Sequence, residues 1–212
     1  MRITLFGATG FVGKKLLEQA LQEGHEITVL ARSPDKLEVL KDQVHCIEGD
    51  YFDRQAVREA LQGAEAVLSC IGPPLGLGRS KFIGKYPQAM ESLVAELQAA
   101  GVSRIITIAG ASVPLSGSKF PVLAKITRLM MLVIGGQISR DKDKEALKLA
   151  ASELDWTILR PPGIKVGVRG DFLASESSLR SPFVNLEQFC EFMLAGLRDD
   201  VWIRKAPFTS TR

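Results

Sequence analysis

The sequence predicts a doubly wound α/β fold, in which helices cover both faces of one parallel β-sheet. Three observations support this prediction. Short apolar runs alternate with segments of helical period along the chain, Gly and Pro cluster where several runs end, and a glycine-rich turn joins the first run to the first helix. Because strand–helix–strand units cross over with a right hand, the strands are expected to lie parallel. We expect the 212 residues to form one domain spanning 1–212.

The individual elements follow from the period of the apolar residues. Short apolar runs predict strands at Ile3–Phe6, Ile27–Ala31, Val44–Ile47, Ala66–Cys70, Ile105–Ala109, Trp156–Leu159 and finally Val201–Ile203. Apolar residues that recur every three to four positions predict helices at Val12–Glu23, Arg54–Gln62, Gln88–Ala100, Val122–Ile134, Asp143–Ser152 and Leu186–Leu197. Helix ends are marked as well, since Gly24 and Gly101 are placed as C-caps and Asp53 and Asn185 as N-caps.

Composition mainly excludes classes of function. The chain is 46% hydrophobic and 24% charged with a net charge of +3, and it has no basic block, so no nucleic-acid partner is expected. Cys46, Cys70 and Cys190 are odd in number and widely spaced, which argues against a disulfide framework or a CxxC metal site. No apolar run approaches the ~20 residues of a membrane span, and no signal-peptide pattern is visible. We therefore expect a cytoplasmic location.

The glycine-rich turn after the first strand points to nucleotide binding. Gly7, Gly10 and Gly13 meet three needs: a tight turn, close approach of the backbone to a pyrophosphate, and close packing of the helix on the strand. The helix that follows would direct its free N–H groups at the phosphates. This context favours a dinucleotide-binding Rossmann fold, and the alternative is a turn that only packs tightly.

Two further positions bear on which dinucleotide would bind. Arg32 ends the second predicted strand, about 20 residues beyond Gly13, where an acidic residue selects NAD and an arginine accommodates the 2′-phosphate of NADP. Ser33 can add a hydroxyl, so NADP(H) is favoured over NAD(H); the alternative is that Arg32 is a solvated charge. Asp50, after the third strand, either accepts a hydrogen bond from the adenine amino group or caps the next turn.

Four segments together resemble a known family. They are the turn Gly7–Gly13, the strand end Leu30–Arg32, the pair Gly49–Asp50, and the late segment Leu154–Pro161. In this combination the chain is similar to the atypical short-chain dehydrogenases/reductases, and within them to the NAD(P)H-binding, NmrA-like group that includes the biliverdin reductase B (flavin reductase) type. The resemblance extends over nearly the whole chain.

The resemblance implies a set of cofactor contacts. By that likeness the turn residues hold the pyrophosphate, Arg32 the 2′-phosphate and Asp50 the adenine, and the segment after the fourth strand lines the cofactor. The expected cofactor-binding residues are Gly7, Thr9, Gly10, Phe11, Val12, Gly13, Arg32, Ser33, Asp50, Tyr51, Cys70, Ile71, Gly72 and Ala109, with Pro161, Pro162, Gly163 and Ile164 beside the nicotinamide.

The chain departs from the wider family at the proton donor. Family members reduce carbonyls with a Tyr-x-x-x-Lys pair, in which the lysine lowers the pKa of the phenol. The two tyrosines, Tyr51 and Tyr86, are each followed four residues later by a residue other than lysine. His25 and His45 precede or begin strands, so they are expected at the opposite, amino edge of the sheet.

Ser112 and Lys142 remain as candidate catalytic residues near the expected site, together with Asp141, and a structural role is the alternative for each. The missing dyad favours a planar flavin-, quinone- or tetrapyrrole-like acceptor, which takes a hydride while water supplies the proton. The expected activity is therefore that of an NADPH-dependent oxidoreductase. The alternatives are an NmrA-like regulator that senses NADP(H) without catalysis and, less favoured, a nucleotide-sugar epimerase or dehydratase.

Two stretches are left to form a substrate site, 72–86 and 113–140. The first carries Arg79, Lys81 and Lys85 and is either a lid over an anionic group or an ordinary loop. The helix Phe120–Ile134 in the second has an apolar stripe, which predicts packing against the body or another subunit, or an adaptable Met130–Met131 wall over the substrate. The oligomeric state is expected to be a monomer or a homodimer.

Overall fold

The computed structural model describes residues 1–72, 79–115 and 120–212. Its strands are β1 (Arg2–Phe6), β2 (Glu26–Ala31), β3 (His45–Glu48), β4 (Ala66–Ser69), β5 (Arg104–Ile108), β6 (Asp155–Leu159), β7 (Ile164–Lys165), β8 (Phe172–Ser175), β9 (Val184–Asn185) and β10 (Phe208–Thr211). Its helices are α1 (Phe11–Gln22), α2 (Arg54–Ala60), α3 (Lys85–Ala99), α4 (Val122–Gly135), α5 (Gln137–Ala150) and α6 (Leu186–Ala195). Short 3₁₀ segments lie at Pro34–Gln43, Arg79–Phe82 and Asp200–Trp202.

Six strands form the central parallel sheet in the order β3-β2-β1-β4-β5-β6. Leu5 in the middle of β1 stands opposite Val29 on one side and Leu68 on the other, so apolar residues meet across neighbouring strands. The order reverses between β1 and β4, where the connections diverge and leave a crevice at the carboxyl ends of the strands. The predicted doubly wound parallel sheet is confirmed.

Helices cover both faces of this sheet, as predicted. On one face Val57 of α2, Leu93 of α3 and Leu149 of α5 share a core cluster with residues of the strands. On the other face Leu16 of α1 and Phe189 of α6 belong to a second cluster. Because both faces are buried, the strands are continuous apolar runs instead of alternating ones.

The predicted helix caps are present. The side chain of Asp53 accepts a hydrogen bond from the backbone N–H of Gln55, and that of Asn185 accepts one from the N–H of Gln188. Gly24 and Gly101 follow α1 and α3 with φ of 75° and 71°, a backbone region that glycine enters without strain. Local sequence therefore determined where these helices begin and end.

Two predictions about the second half of the chain were wrong. Val201–Ile203 is not a strand: Asp199 accepts a hydrogen bond from the N–H of Val201 and begins a 3₁₀ turn. The last strand is instead β10, which pairs antiparallel with β8, while β7 pairs with β9. The helix expected from Asp143 begins at Gln137, because its first six residues bury the polar Asp141 and Lys142 and contain one apolar residue, Ile138, too few to show a helical stripe.

Arg160, directly after β6, is fully buried. Its guanidinium donates hydrogen bonds to the carbonyl oxygens of Ala206, 2.8 Å from Nε, and of Val113, and it stacks on the ring of Phe208 at 3.7 Å. Burial lowers the pKa of Arg160 to about 10, so the side chain remains charged at neutral pH. This one side chain joins the segment after β5, the end of β6 and the C-terminal strand.

We expect Arg160→Met to destabilise the protein by about 2–4 kcal/mol, because the acceptors around the guanidinium lose their donors in a buried site. Urea unfolding followed by circular dichroism measures the change. Arg169→Met, at an exposed arginine, is the matched control and should change the free energy of unfolding by less than about 0.5 kcal/mol. Equal effects of the two variants would contradict the role given to Arg160.

Candidate functional site

The turn between β1 and α1 requires glycine for two separate reasons. Gly7 has a φ of 83°, and a Cβ there would lie 2.9 Å from the carbonyl carbon and oxygen of Cys70. A Cβ at Gly13 would overlap the carbonyl oxygen of Gly7, so α1 approaches the turn as closely as backbone atoms permit. Gly10 begins α1 and has no side chain to cap it, which leaves the N–H groups of the first turn available to an anion.

This turn opens into a cleft of about 220 Å³ at the carboxyl ends of β1–β4. The cleft lies at the point where the strand order reverses, which is where open α/β sheets bind their ligands. It is lined by Gly7, Thr9, Gly10, Leu30, Ala31, Arg32, Gly49, Asp50, Tyr51, Phe52, Cys70, Ile71, Gly72, Phe82 and Tyr86.

The cleft brings together half of the cofactor contacts predicted from the sequence. These nine residues are Gly7, Thr9, Gly10, Arg32, Asp50, Tyr51, Cys70, Ile71 and Gly72. The other predicted residues lie outside its lining in the described part of the chain: Phe11, Val12, Gly13, Ser33, Ala109, Ser112, Lys142, Pro161, Pro162, Gly163 and Ile164. The cleft therefore gathers residues predicted for the adenosine and phosphate part of a dinucleotide, and those predicted for the nicotinamide lie outside its lining.

Arg32 and Asp50 form the rim of the cleft. Arg32 is exposed at the end of β2, so its guanidinium is accessible to a ligand from solvent. Asp50 accepts a hydrogen bond from the backbone N–H of Phe52 at 3.1 Å, which is the turn-capping role. The same carboxylate lines the cleft, so capping and ligand binding are compatible at this residue.

An aromatic wall closes one side of the cleft and was missed in the sequence. Phe52 packs edge-on against Tyr86, with ring centroids 5.4 Å apart, and lies 5.7 Å from Phe82. Lys85 stands over both phenylalanine rings at 5.7 and 5.9 Å. These residues come from the turn after β3, the 3₁₀ segment Arg79–Phe82 and the start of α3, so only their meeting in the fold reveals the wall. Residues 73–78 of the predicted lid 72–86 lie outside the described residues.

A buried polar cluster lies behind this wall. Lys142 of α5 donates a hydrogen bond to the carbonyl oxygen of Ile71 at 3.2 Å, forms an ion pair with Glu145, and stands 5.2 Å from the centroid of the Tyr86 ring. The Tyr86 hydroxyl donates to the carbonyl oxygen of Gly72 at 3.2 Å. A lysine and a tyrosine distant in sequence are thus brought into contact beside the cleft.

The electrostatics of this pair differ from those of the family's acid–base dyad, in which the lysine lowers the pKa of the phenol. Burial, with the nearby Glu145 carboxylate, raises the pKa of Tyr86 to about 12, so the phenol keeps its proton at neutral pH. Burial also raises the pKa of Glu145 above its ordinary value, and the adjacent Lys142 ammonium opposes that rise. The cluster therefore holds a phenol whose pKa lies well above neutral pH beside a lysine that is paired with a carboxylate.

Ala109, Ser112 and the segment Pro161–Ile164 form a second group at the ends of β5 and β6, whereas Phe11, Val12 and Gly13 lie on α1, Ser33 follows β2 and Lys142 lies on α5. Ala109 donates a backbone hydrogen bond to Leu159 at 2.9 Å, and Ala111 donates one to Pro161 at 2.8 Å. These bonds place Ser112 near the Pro161–Ile164 segment. The carbonyl oxygen of Ser112 accepts a hydrogen bond from Arg128 of α4, which also pairs with Asp143 at 3.0 Å.

The histidines are remote from this group, as expected. His25 lies before β2, with Nδ1 3.4 Å from the N-terminal amine, and His45 is the first residue of β3, so both stand at the amino edge of the sheet. Within the described ranges no group of three or more His, Cys, Asp or Glu side chains could hold a metal ion. In those same ranges no helix is long and apolar enough to cross a membrane.

Fold and turn together define a Rossmann-type protein with a nucleotide-binding crevice. Residues 7–200 match the model of the NAD(P)H-binding family, and the chain belongs to that family. The resemblance found in the sequence is therefore confirmed.

The matches to relatives in sequence extend over only part of each relative's length. The protein YwnB of Bacillus subtilis (strain 168) is 31% identical over 130 residues, which is 61% of this chain and 54% of YwnB. Pinoresinol reductase 1 of Arabidopsis thaliana is 33% identical over 79 residues, or 33% of this chain and 25% of the reductase. The chain spans about half or less of the length of these curated relatives.

Solved structures share the fold over nearly their whole length. ChuY, an anaerobillin reductase from Escherichia coli O157:H7, superposes with a TM-score of 0.80 at 23% identity, and the match covers 100% of this chain and 97% of ChuY. A short-chain dehydrogenase/reductase of Veillonella parvula in complex with NADP superposes with a TM-score of 0.79 at 20% identity, covering 99% and 94%. At these identities the likeness shows the fold.

Proposed function

We propose that the protein is an NADPH-dependent reductase that delivers a hydride to a planar acceptor of flavin, quinone or tetrapyrrole type. The observation that carries this proposal is the cleft itself, in which the glycine turn, the open N-terminus of α1 and the exposed Arg32 converge at the switch point of the sheet. Membership of the NAD(P)H-binding family and the reductases among the relatives support it.

The residues fit NADP in three places. The first-turn N–H groups of α1 bind the pyrophosphate, since the helix N-terminus is positive and Gly13 lets it approach. Arg32 pairs with the 2′-phosphate, which is absent from NAD, and this gives the preference for NADP(H). Ala109 and Pro161–Ile164 receive the nicotinamide. When bound, the nicotinamide supplies a hydride to the acceptor.

The acceptor class follows from the acid–base groups that the chain offers. Alcohol and ketone substrates need a proton donor whose pKa lies near the working pH. Tyr86, whose pKa is about 12, is held by the carbonyl of Gly72 and does not meet that need. A planar conjugated acceptor takes its proton from water, so the chain has only to bind it against the nicotinamide and exclude side reactions.

A second candidate function is that of a non-catalytic sensor of NADP(H). The ion pair between Lys142 and Glu145 favours it, because Lys142, which lies against the wall residue Tyr86, already has a carboxylate partner. An epimerase or dehydratase is less favoured, since those reactions depend on a tyrosine of lowered pKa.

Turnover separates the two candidates. NADPH oxidation is followed at 340 nm with FMN, FAD, menadione and biliverdin as acceptors, and the NADP affinity of the same preparation is measured by calorimetry. We expect turnover with at least one acceptor. Tight NADP binding with no oxidation across the panel would reject the reductase in favour of the sensor.

Arg32→Ala tests the cofactor preference. It should weaken NADPH binding by about 1.5–3 kcal/mol, the range for a hydrogen bond to a charged group, and leave NADH binding nearly unchanged. Arg2→Ala is the matched control, because Arg2 begins β1 at the opposite edge of the sheet. Equal losses for the two nucleotides would contradict the assignment of Arg32 to the 2′-phosphate.

Lys142 and Glu145 call for a paired test, because removing the lysine alone leaves a buried carboxylate without its cation. We expect Lys142→Met to lower both stability and kcat, with a stability loss of about 3–5 kcal/mol. The double variant Lys142→Met/Glu145→Gln removes the orphaned charge and should recover most of the stability. If kcat stays low in the double variant, the positive charge of Lys142 serves turnover; if kcat returns, Lys142 is structural.

A further inference from the structure

Helix α4 carries a stripe of apolar side chains that faces solvent. Six large residues on it are between 51% and 78% exposed: Val122, Ile126, Leu129, Met130, Val133 and Ile134. The spacing of 122, 126, 129, 130 and 133 follows the helical period, so these side chains form one continuous surface about 16 Å long. The sequence predicted that this stripe packs against the body or another subunit, or that Met130–Met131 forms a wall over the substrate; within the described residues the body of the chain does not cover it.

The other face of α4 makes the contacts with the protein. Ala124 is buried, and Arg128 holds both the carbonyl oxygen of Ser112 and the carboxylate of Asp143. The helix is thus attached through one face and leaves its most apolar face open. A contiguous, highly exposed apolar face of this kind marks an interaction site on a folded protein, so the open face of α4 calls for a partner.

The charges on α4 argue against an anionic membrane as that partner. Membrane-binding surfaces combine an apolar face with a cluster of about four to eight Lys and Arg residues. Helix α4 has two cations, Lys125 and Arg128, and Arg128 is already paired with Asp143. The stripe also has no acidic residue, which removes self-repulsion between carboxylates when two copies meet.

We propose that two copies of this chain associate through α4, with the helices antiparallel about a two-fold axis between Leu129 and Met130. That symmetry places Leu129 of one copy level with Met130 of the other. It also places Ile126 of one copy level with Val133 of the other. The stripe is self-complementary in this arrangement, which is the requirement of a two-fold interface.

The position of Lys125, the other cation on α4, fits the same arrangement. An axis between 129 and 130 places Lys125 level with position 134 of the other copy, one residue before α4 ends at Gly135. The C-terminal end of a helix is negative, so each lysine meets a favourable dipole. The two Lys125 residues lie about 13 Å apart along the helices, beyond the screening length of about 8 Å at physiological salt.

The size of the stripe suits the centre of a stable interface. A two-fold interface buries about 800 Å² on each subunit and has an apolar core with a polar rim. Six side chains that are more than half exposed supply such a core, and the half-buried Leu123, Met131 and Leu132 lie beside it. Association would also brace α4, through which Arg128 holds the Ser112 carbonyl.

Sedimentation velocity over a concentration series, with the full chain, tests the interface. We expect a dimer for the unaltered chain and about a 100-fold or greater rise in its dissociation constant for Leu129→Glu, because the variant places two carboxylates at the axis. We expect Met130→Glu to raise the dissociation constant by a similar factor. Val39→Glu, at an equally exposed apolar residue in the 3₁₀ segment 34–43, is the control and should leave the dimer intact.

Three results would overturn the proposal. The first is a chain that stays monomeric up to about 100 µM. The second is a dimer that survives both Leu129→Glu and Met130→Glu, which would place the interface on another face. The third is a monomer that binds vesicles of phosphatidylcholine and phosphatidylserine and loses that binding in Leu129→Glu. Circular dichroism of each variant confirms that it is folded, as expected for changes at exposed positions.

Discussion

The approach of Gly13 to the carbonyl of Gly7 is the constraint on which the rest of the site depends. Because no side chain separates them, α1 begins directly above the end of β1 and directs its first N–H groups into the crevice between β1 and β4. Any Cβ at Gly13 would displace the helix from the strand and move the first N–H groups of α1 away from the cleft. The glycine turn is thus a packing requirement, and in the proposed function it also binds the pyrophosphate.

A second constraint acts at the other end of the crevice. Arg160 is a buried cation that holds backbone carbonyls from the segment after β5 and from the C-terminal region. It keeps Ser112 and the Pro161–Ile164 segment in a defined relation, since both leave the sheet beside it. The two ends of the proposed cofactor site are therefore held by different means, one by the absence of side chains and the other by a large buried one.

The buried cluster of Tyr86, Lys142 and Glu145 brings a tyrosine and a lysine together although the chain has no Tyr-x-x-x-Lys pair. A tyrosine and a lysine do meet beside the cleft, but they come from α3 and α5 and are surrounded by carbonyl and carboxylate oxygens. In that setting the pKa of the phenol is raised, whereas a family dyad lowers it. The proposed planar acceptor needs binding and orientation from the chain and does not need a phenol of lowered pKa.

The sequence by itself determined the sheet, the helix caps and the glycine turn, because period, capping and steric demands act over a few residues. It missed the wall of Phe52, Phe82 and Tyr86, and it misassigned the strand at Val201–Ile203. Those features depend on contacts between segments far apart in the chain, which local pattern does not encode. Only the tertiary structure decided that the stripe on α4 faces solvent, because burial is a property of the assembled fold.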